Sequence, residues 1–353
     1  MDKHIQILDC TLRDGGLGLE DAEKNGISHK CFDRDIIARI IDHQKRSNLD
    51  IIELGSIELS AEDKRRFAIY QDVQSVSKTI PADRPEGQMY AALYRGPDTP
   101  IEDIPDWNPS YCQLLRVIIR YSELRKSLAF CKALAGKGYR VGVQPMLTLR
   151  YSGEELQQVI DATNDMGAYA LYFVDSYGYM QTQDVVRLFE LYNRKLHPSI
   201  RIGFHAHNNM NLAFSNALAF LAQSSGREVI LDACALGLGQ GAGNLQTEII
   251  AEHLNAEHKA AYQYSEILEV CEIIEGYRER DLWGYSVTTL LPALRKVAYK
   301  YSIVLRNQYG FSFSEINQIL SRMPESLRHR YTAENTVELL RLCGYDAPET
   351  LRK

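Results

Sequence analysis

No C-x-x-C pair occurs among the seven cysteines, which stand at positions 10, 31, 112, 131, 234, 271 and 343. An odd number of thiols at scattered spacing argues against a disulfide framework or a zinc ribbon and for reduced, buried cysteines in a cytoplasmic protein. No apolar run approaches the roughly 20 residues that cross a bilayer, so no membrane association is expected. A basic excess is missing too. The formal net charge is −6, which gives nucleic-acid binding little electrostatic support. The opening residues, Met1 to Ile7, run straight into a strand-like pattern, without the apolar stretch and cleavage site of a secretion signal. Neither an internal repeat of solenoid period nor a low-complexity segment is found.

What remains is the composition of an ordinary soluble globular chain, 45% hydrophobic and 24% charged over 353 residues. That length suits a barrel of about 250 residues with an appendage. Eight short apolar runs read as strands: Ile5–Cys10, Ile51–Leu54, Gln88–Leu93, Gln113–Ile118, Arg140–Gln144, Ala170–Val174, Arg201–Phe204 and Val229–Asp232. Brief apolar runs are what parallel strands buried on both faces look like. Amphipathic stretches alternate with them. Asp33–Ser47 carries Ile36, Ile37, Ile40 and Ile41 on one face, and Ser152 with Glu155 makes a capping-box pattern for a helix to Met166. Further helices are expected over Ser122–Lys137, Thr182–Leu196, Asn211–Ala222 and Leu245–Leu254. The alternation predicts an α/β fold, a (β/α)8 TIM barrel over residues 1–258, with an open doubly wound sheet as the competing topology. Beyond residue 258 the pattern is helical only, in Tyr264–Arg280, Val287–Tyr301, Ser314–Ser321 and Thr332–Leu342. This predicts a small helical C-terminal domain over residues 259–353, packed on the barrel mouth or used for association.

Catalytic groups of such barrels sit where strands end. Three strand ends are rich in polar residues or glycine: Asp9 to Gly16, Gly203 to Asn209, and Gly237 to Asn244. His205 and His207 are two residues apart on a strand, so both side chains leave the same face. Two imidazoles and a carboxylate, for which Asp14 is the candidate, suit a divalent metal and leave coordination positions open. Arg13 either pairs with Asp14 to fix a loop or offers a cation to a substrate carboxylate and a developing enolate. Asn244 either caps the next helix or reaches the metal. Glu53, at the end of the second strand, either binds a ligand or partners Arg13. Asp175 and Ser176, at the end of the sixth, either hold substrate or cap a turn. The glycine run 237–243 fits a tight turn or an anion cradle, and no Walker lysine follows it.

Thr11-Leu12-Arg13-Asp14-Gly15, His205-Ala206-His207-Asn208 and Gly241-Ala242-Gly243-Asn244 resemble, in order, motifs of the DRE-TIM metallolyase superfamily. The resemblance covers roughly residues 5–258 and is nearest to 4-hydroxy-2-oxovalerate aldolases. It implies Asp14, His205 and His207 as ligands of Mn2+ or Mg2+. It also implies that Arg13 stabilises a pyruvate enolate. Leu282-Trp283-Gly284-Tyr285-Ser286 resembles the start of those aldolases' C-terminal helical domain, which implies a role for the Tyr285 hydroxyl and association with a partner dehydrogenase. One position departs from the pattern. Leu17 stands where the aldolases carry a histidine that serves as base, so either another group, Glu20, Tyr285 or metal-bound water, moves the proton, or the substrate differs. The resulting expectation is a metal-dependent carbon–carbon lyase, cleaving a 4-hydroxy-2-oxo acid to pyruvate and an aldehyde. The rivals are a Claisen-type acyltransferase similar to isopropylmalate and homocitrate synthases, and a barrel that binds a metabolite or partner without turnover. The helical tail is expected to form a homodimer or dock the dehydrogenase.

Overall fold

Eight strands do close into a ring. β1 (Ile5–Asp9), β2 (Ile51–Ile57), β4 (Met89–Tyr94), β5 (Leu114–Ile119), β6 (Arg140–Pro145), β7 (Ala170–Asp175), β8 (Arg201–Ala206) and β9 (Val229–Ala233) are all paired in parallel, and β3 (Ile69–Tyr70) is a two-residue addition beside the end of β2. β1 bonds β9 on one side and β2 on the other, with Leu8 opposite Ile51, and this pairing excludes the open sheet. The computed structural model describes residues 5–24, 29–59, 64–223, 226–277 and 283–345. Leu282 and the end of the expected helix Tyr264–Arg280, from residue 278 on, lie outside the described residues.

β2, β4, β7 and β9 are buried along their whole length, because helices cover the outside of the ring and side chains fill its interior. The helix Arg34–Arg46 starts at Asp33, whose carboxylate accepts the Ile36 N–H at 2.7 Å, and the helix Gly153–Asp165 carries the full Ser152–Glu155 capping box.

Three expectations need correction. The stretch at Arg13 and Asp14, expected as a loop, belongs to the helix Thr11–Lys24, buried from Thr11 to Ala22. Its glycines allow close packing: a Cβ on Gly16 would lie 1.8 Å from the Phe67 carbonyl oxygen. The single helix expected over Val287–Tyr301 is two, Val287–Arg295 and Lys300–Asn307, with the chain turning at Lys296, φ 55°. The helix Phe313–Ser321 is capped by Ser312 rather than opened by Ser314.

The barrel core also takes in Ile267, Val270 and Ile274 of the helix Tyr264–Glu275, which packs against Arg34–Arg46. A second apolar cluster joins Leu291, Tyr301, Ile316, Leu320 and Leu339 in the helices that follow. These helices sit on the C-terminal face of the barrel. The Tyr177 hydroxyl, after β7, donates to the His329 carbonyl at 2.9 Å. The Trp283 indole donates to the Leu236 carbonyl, after β9, at 3.0 Å. Among the described residues no helix is long and apolar enough to cross a membrane.

Candidate active site

The polar groups at the barrel mouth are held from behind, starting from β2, β5 and β9. Each of these strands carries one charged side chain in an otherwise apolar run: Glu53, Arg116 and Asp232, all buried. Arg116 donates to Glu53 Oε2 at 2.8 Å and, through its other terminal nitrogen, to Asp232 Oδ2. Glu53 Oε2 also accepts from Arg13 Nε at 2.6 Å, and Arg13 Nη1 donates to Asp14 Oδ1. Charges therefore alternate in sign from Asp14 through Arg13, Glu53 and Arg116 to Asp232, the arrangement that makes buried ions tolerable. Arg116 also stacks over the Tyr172 ring, 4.5 Å from its centroid.

The two histidines are oriented from behind. His205 Nδ1 bonds Asp232 Oδ2 at 2.8 Å, and His207 Nδ1 bonds the Asp175 carbonyl at 3.0 Å. The His207 contact makes Nδ1 the donor, so Nε2 presents a lone pair. Both Nε2 atoms face Asp14 Oδ2, at 4.0 Å from His205 and 3.8 Å from His207. That is too far for a direct hydrogen bond and leaves room for a shared ion. Asn244 Nδ2 donates to the same Asp14 oxygen, and an isolated antiparallel bridge joins Asn244 to His207. The Asn244 amide oxygen, His207 Nε2 and Arg13 Nη2 are buried with no hydrogen-bond partner among the described residues. Unpartnered buried polar atoms beside such a cluster are what an ion or ligand would satisfy. The donor set of one carboxylate, two imidazoles and an amide oxygen suits a divalent cation, and Asp14, His205 and His207 form one of the groups able to hold one.

The electrostatics follow from the same contacts. Burial raises the Asp14 carboxyl, but Arg13, His205, His207 and Asn244 outweigh it and hold it down at about 2. Burial lowers His205, yet its hydrogen bonds to Asp232 and Cys10 bring it up to about 9. Burial and then the charge of His205 push His207 down to about 4.

Other sequence-predicted residues lie apart from this cluster or act as its supports. Glu53 takes the place of a partner for Arg13. Asp175 caps the turn after β7, accepting from the Tyr179 and Met180 amides at 2.9 and 3.0 Å, and burial raises its carboxyl to about 7. Ser176 Oγ accepts from the Leu147 amide at 2.8 Å. Asn244 is not a helix cap, since Gln246 precedes the helix Thr247–His258. Glu20 belongs to a separate ion cluster with Lys24, Lys64 and Arg95 at 3.0, 3.2 and 3.1 Å. Burial raises its carboxyl, and those cations, Arg95 first, bring it below the usual range. Leu17 is buried in the barrel core. Tyr285 is 58% exposed and lines a cavity of about 360 Å³ between the helical tail and the loop after β9. Arg116 and Asp232 went unread in the sequence. The signal for them is a lone charge inside an apolar strand, which demands a buried partner.

The chain is similar to several known proteins. The family described as HMGL-like matches residues 119–274. A 4-hydroxy-2-oxovalerate aldolase from Carboxydothermus hydrogenoformans is 28% identical over 288 residues, 79% of this chain and 80% of that one. One from Geobacillus genomosp. 3 is 27% identical over 71% of this chain and 70% of its own. An oxaloacetate decarboxylase from Mycobacterium tuberculosis is 25% identical over 74% of each. Among solved structures, the HMG-CoA lyase of Bacillus subtilis superposes with a TM-score of 0.60 at 20% identity, covering 79% of this chain and 96% of that one.

Proposed function

We propose that this chain, which carries an HMGL-like match over residues 119–274, is a DRE-TIM metallolyase acting as a divalent-metal-dependent aldolase. It cleaves a 4-hydroxy-2-oxo acid to pyruvate and an aldehyde, or joins the two. The observation that carries this reading is the convergence of Asp14, His205 and His207 beside Arg13, with unpartnered atoms on His207 and Asn244. These four residues, Asp14, His205, His207 and Asn244, would hold the ion. When bound, Mn2+ or Mg2+ supplies Lewis acidity toward the oxygens of a 2-oxo acid.

The chain's own residues do the rest. Arg13 is fixed by Glu53 and Asp14 with Nη2 left over, so its free N–H groups are available to the oxygen on which enolate charge develops. Glu53 and Arg116 set the direction of that guanidinium, and Asp232 sets the ring of His205. Burial of the whole cluster keeps water from competing with these hydrogen bonds. Tyr285 lines the cavity beside the cluster, we assign Ser176 to the substrate's approach, and we assign the tail, where Leu294 and Leu342 are 52% and 60% exposed, to association with a second copy or with a dehydrogenase that takes the aldehyde. The same enolate arises when oxaloacetate loses CO2, and the decarboxylase among the relatives favours that as a second activity of this site.

The test is pyruvate release from 4-hydroxy-2-oxovalerate, followed with lactate dehydrogenase. Chelator-stripped protein should be inactive and recover with Mn2+. His205→Ala should bind Mn2+ weakly and release no pyruvate. Full activity and metal affinity in that variant would overturn the reading.

A further inference from the structure

Cleavage of a 4-hydroxy-2-oxo acid requires a group that takes the proton of the 4-hydroxyl, and the cluster around Asp14 does not provide one. Arg13 is a donor, Glu53 lies between two guanidiniums and Leu17 is aliphatic. The cavity beside the cluster contains a different set of groups. The helix Thr11–Lys24 carries Asp14, Gly18 and Asp21 on one face, at i, i+4 and i+7. Asp14 belongs to the ion-binding group, and Asp21 stands about 10 Å farther along the helix. Gly18 contributes no side chain between them, and the cavity wall includes Gly18, Asp21, Gly239 and Tyr299. Gly239 marks where the cavity meets the cluster: a Cβ there would lie 2.7 Å from Asp14 Oδ2.

Across from Asp21 stands the tail. The Tyr299 hydroxyl donates to Asp21 Oδ2 at 2.7 Å, and Lys300 Nζ bonds Asp21 Oδ1. Tyr299 is buried, while the Lys300 side chain is 31% exposed. A buried phenol lining a reaction cavity, bonded to a carboxylate whose other oxygen meets a partly exposed ammonium, makes a continuous path from cavity to solvent.

We propose that Tyr299 and Asp21 are the proton relay of this site, the tail thereby completing the barrel's chemistry. The inference rests on the aldolase reading above. As the C3–C4 bond breaks, its electron pair passes to the 2-oxo acid half as an enolate, and the C4–O bond becomes the aldehyde carbonyl. The 4-hydroxyl proton goes to the Tyr299 oxygen while the Tyr299 proton goes to Asp21 Oδ2. Asp21 then loses that proton to solvent on the Lys300 side, and the enolate takes one up at C3 to give pyruvate. Burial and then the charge of Asp21 push the Tyr299 hydroxyl well above its ordinary range, so it passes a proton on without resting as a phenolate.

The same three side chains would also serve as a clamp between tail and barrel, and the experiment separates the two roles. Oxaloacetate decarboxylation yields the same enolate with no hydroxyl proton to remove. Tyr299→Phe and Asp21→Asn are assayed with Mn2+ on 4-hydroxy-2-oxovalerate and on oxaloacetate, over the background of Mn2+ alone. The relay predicts that kcat for aldol cleavage falls about 100-fold or more with KM little changed, while decarboxylation stays within about threefold of wild type, inside the loss at which a base contribution counts. Equal loss of both reactions assigns the residues to the clamp and overturns the relay, as does full retention of cleavage. A wild type that decarboxylates without cleaving the hydroxy acid removes the aldolase reading and the relay with it. A wild type inert in both removes the proposed function itself.

Discussion

A single carboxylate oxygen, Asp232 Oδ2, accepts from both His205 Nδ1, at 2.8 Å, and Arg116 Nη2. One atom therefore aims a candidate metal ligand and neutralises a fully buried guanidinium.

Asp232→Asn removes the charge while nearly preserving shape. His205 loses the charged acceptor that fixes its ring, and Arg116 keeps Glu53 as its one carboxylate partner. Partners that orient a ligating histidine are worth about 10- to 100-fold in metal affinity, and breaking a buried pair costs about 3–5 kcal/mol. Mn2+ titration should show the weaker binding, and thermal unfolding the lower Tm. An unchanged Mn2+ affinity would mean that Asp232 serves Arg116 alone.

Arg13→Lys keeps a cation but loses the planar fork. A lysine cannot bond Glu53 and Asp14 and still offer a further N–H in the same plane. Loss of one such donor to a developing oxyanion costs about 10²- to 10³-fold in kcat. Steady-state kinetics at saturating Mn2+ should show that drop, with metal affinity close to wild type because Asp14, His205 and His207 remain. A fall confined to KM would place Arg13 in substrate binding only.

Association through the tail is checked by light scattering on the full chain. The expected mass exceeds the 40.2 kDa of one copy, and Leu294→Asp combined with Leu342→Asp should return it to that value. A wild-type mass of one copy would exclude the homodimer and leave only a dehydrogenase partner for this surface.

The ring of strands was legible because parallel strands buried on both faces are short apolar runs, and all eight stand where those runs lie. The His205–His207 pair was legible because alternation along a strand is rigid geometry. The helix Thr11–Lys24 was not. Its three glycines, 15, 16 and 18, have poor intrinsic helix propensity, and only the close packing against Phe67 and the loop after β9 rewards them. Tertiary contacts set Glu53 against Arg13 and take Asn244 out of the helix cap, at two positions where the sequence left two readings open. The same holds for Asp21 and Tyr299, 278 positions apart in the chain. No local pattern announces such a pair.

The alternating row from Asp14 to Asp232 has a consequence for how this sequence can change over time. Each charge is balanced by neighbours on either side of it, so replacing Arg116 alone leaves Glu53 and Asp232 each one countercharge short, and replacing Glu53 alone does the same to two guanidiniums. Positions 53, 116 and 232 are thus tied into one unit of inheritance. Descendants that lose one charge are expected to lose its opposite as well, and the surviving combinations should appear as correlated columns among relatives.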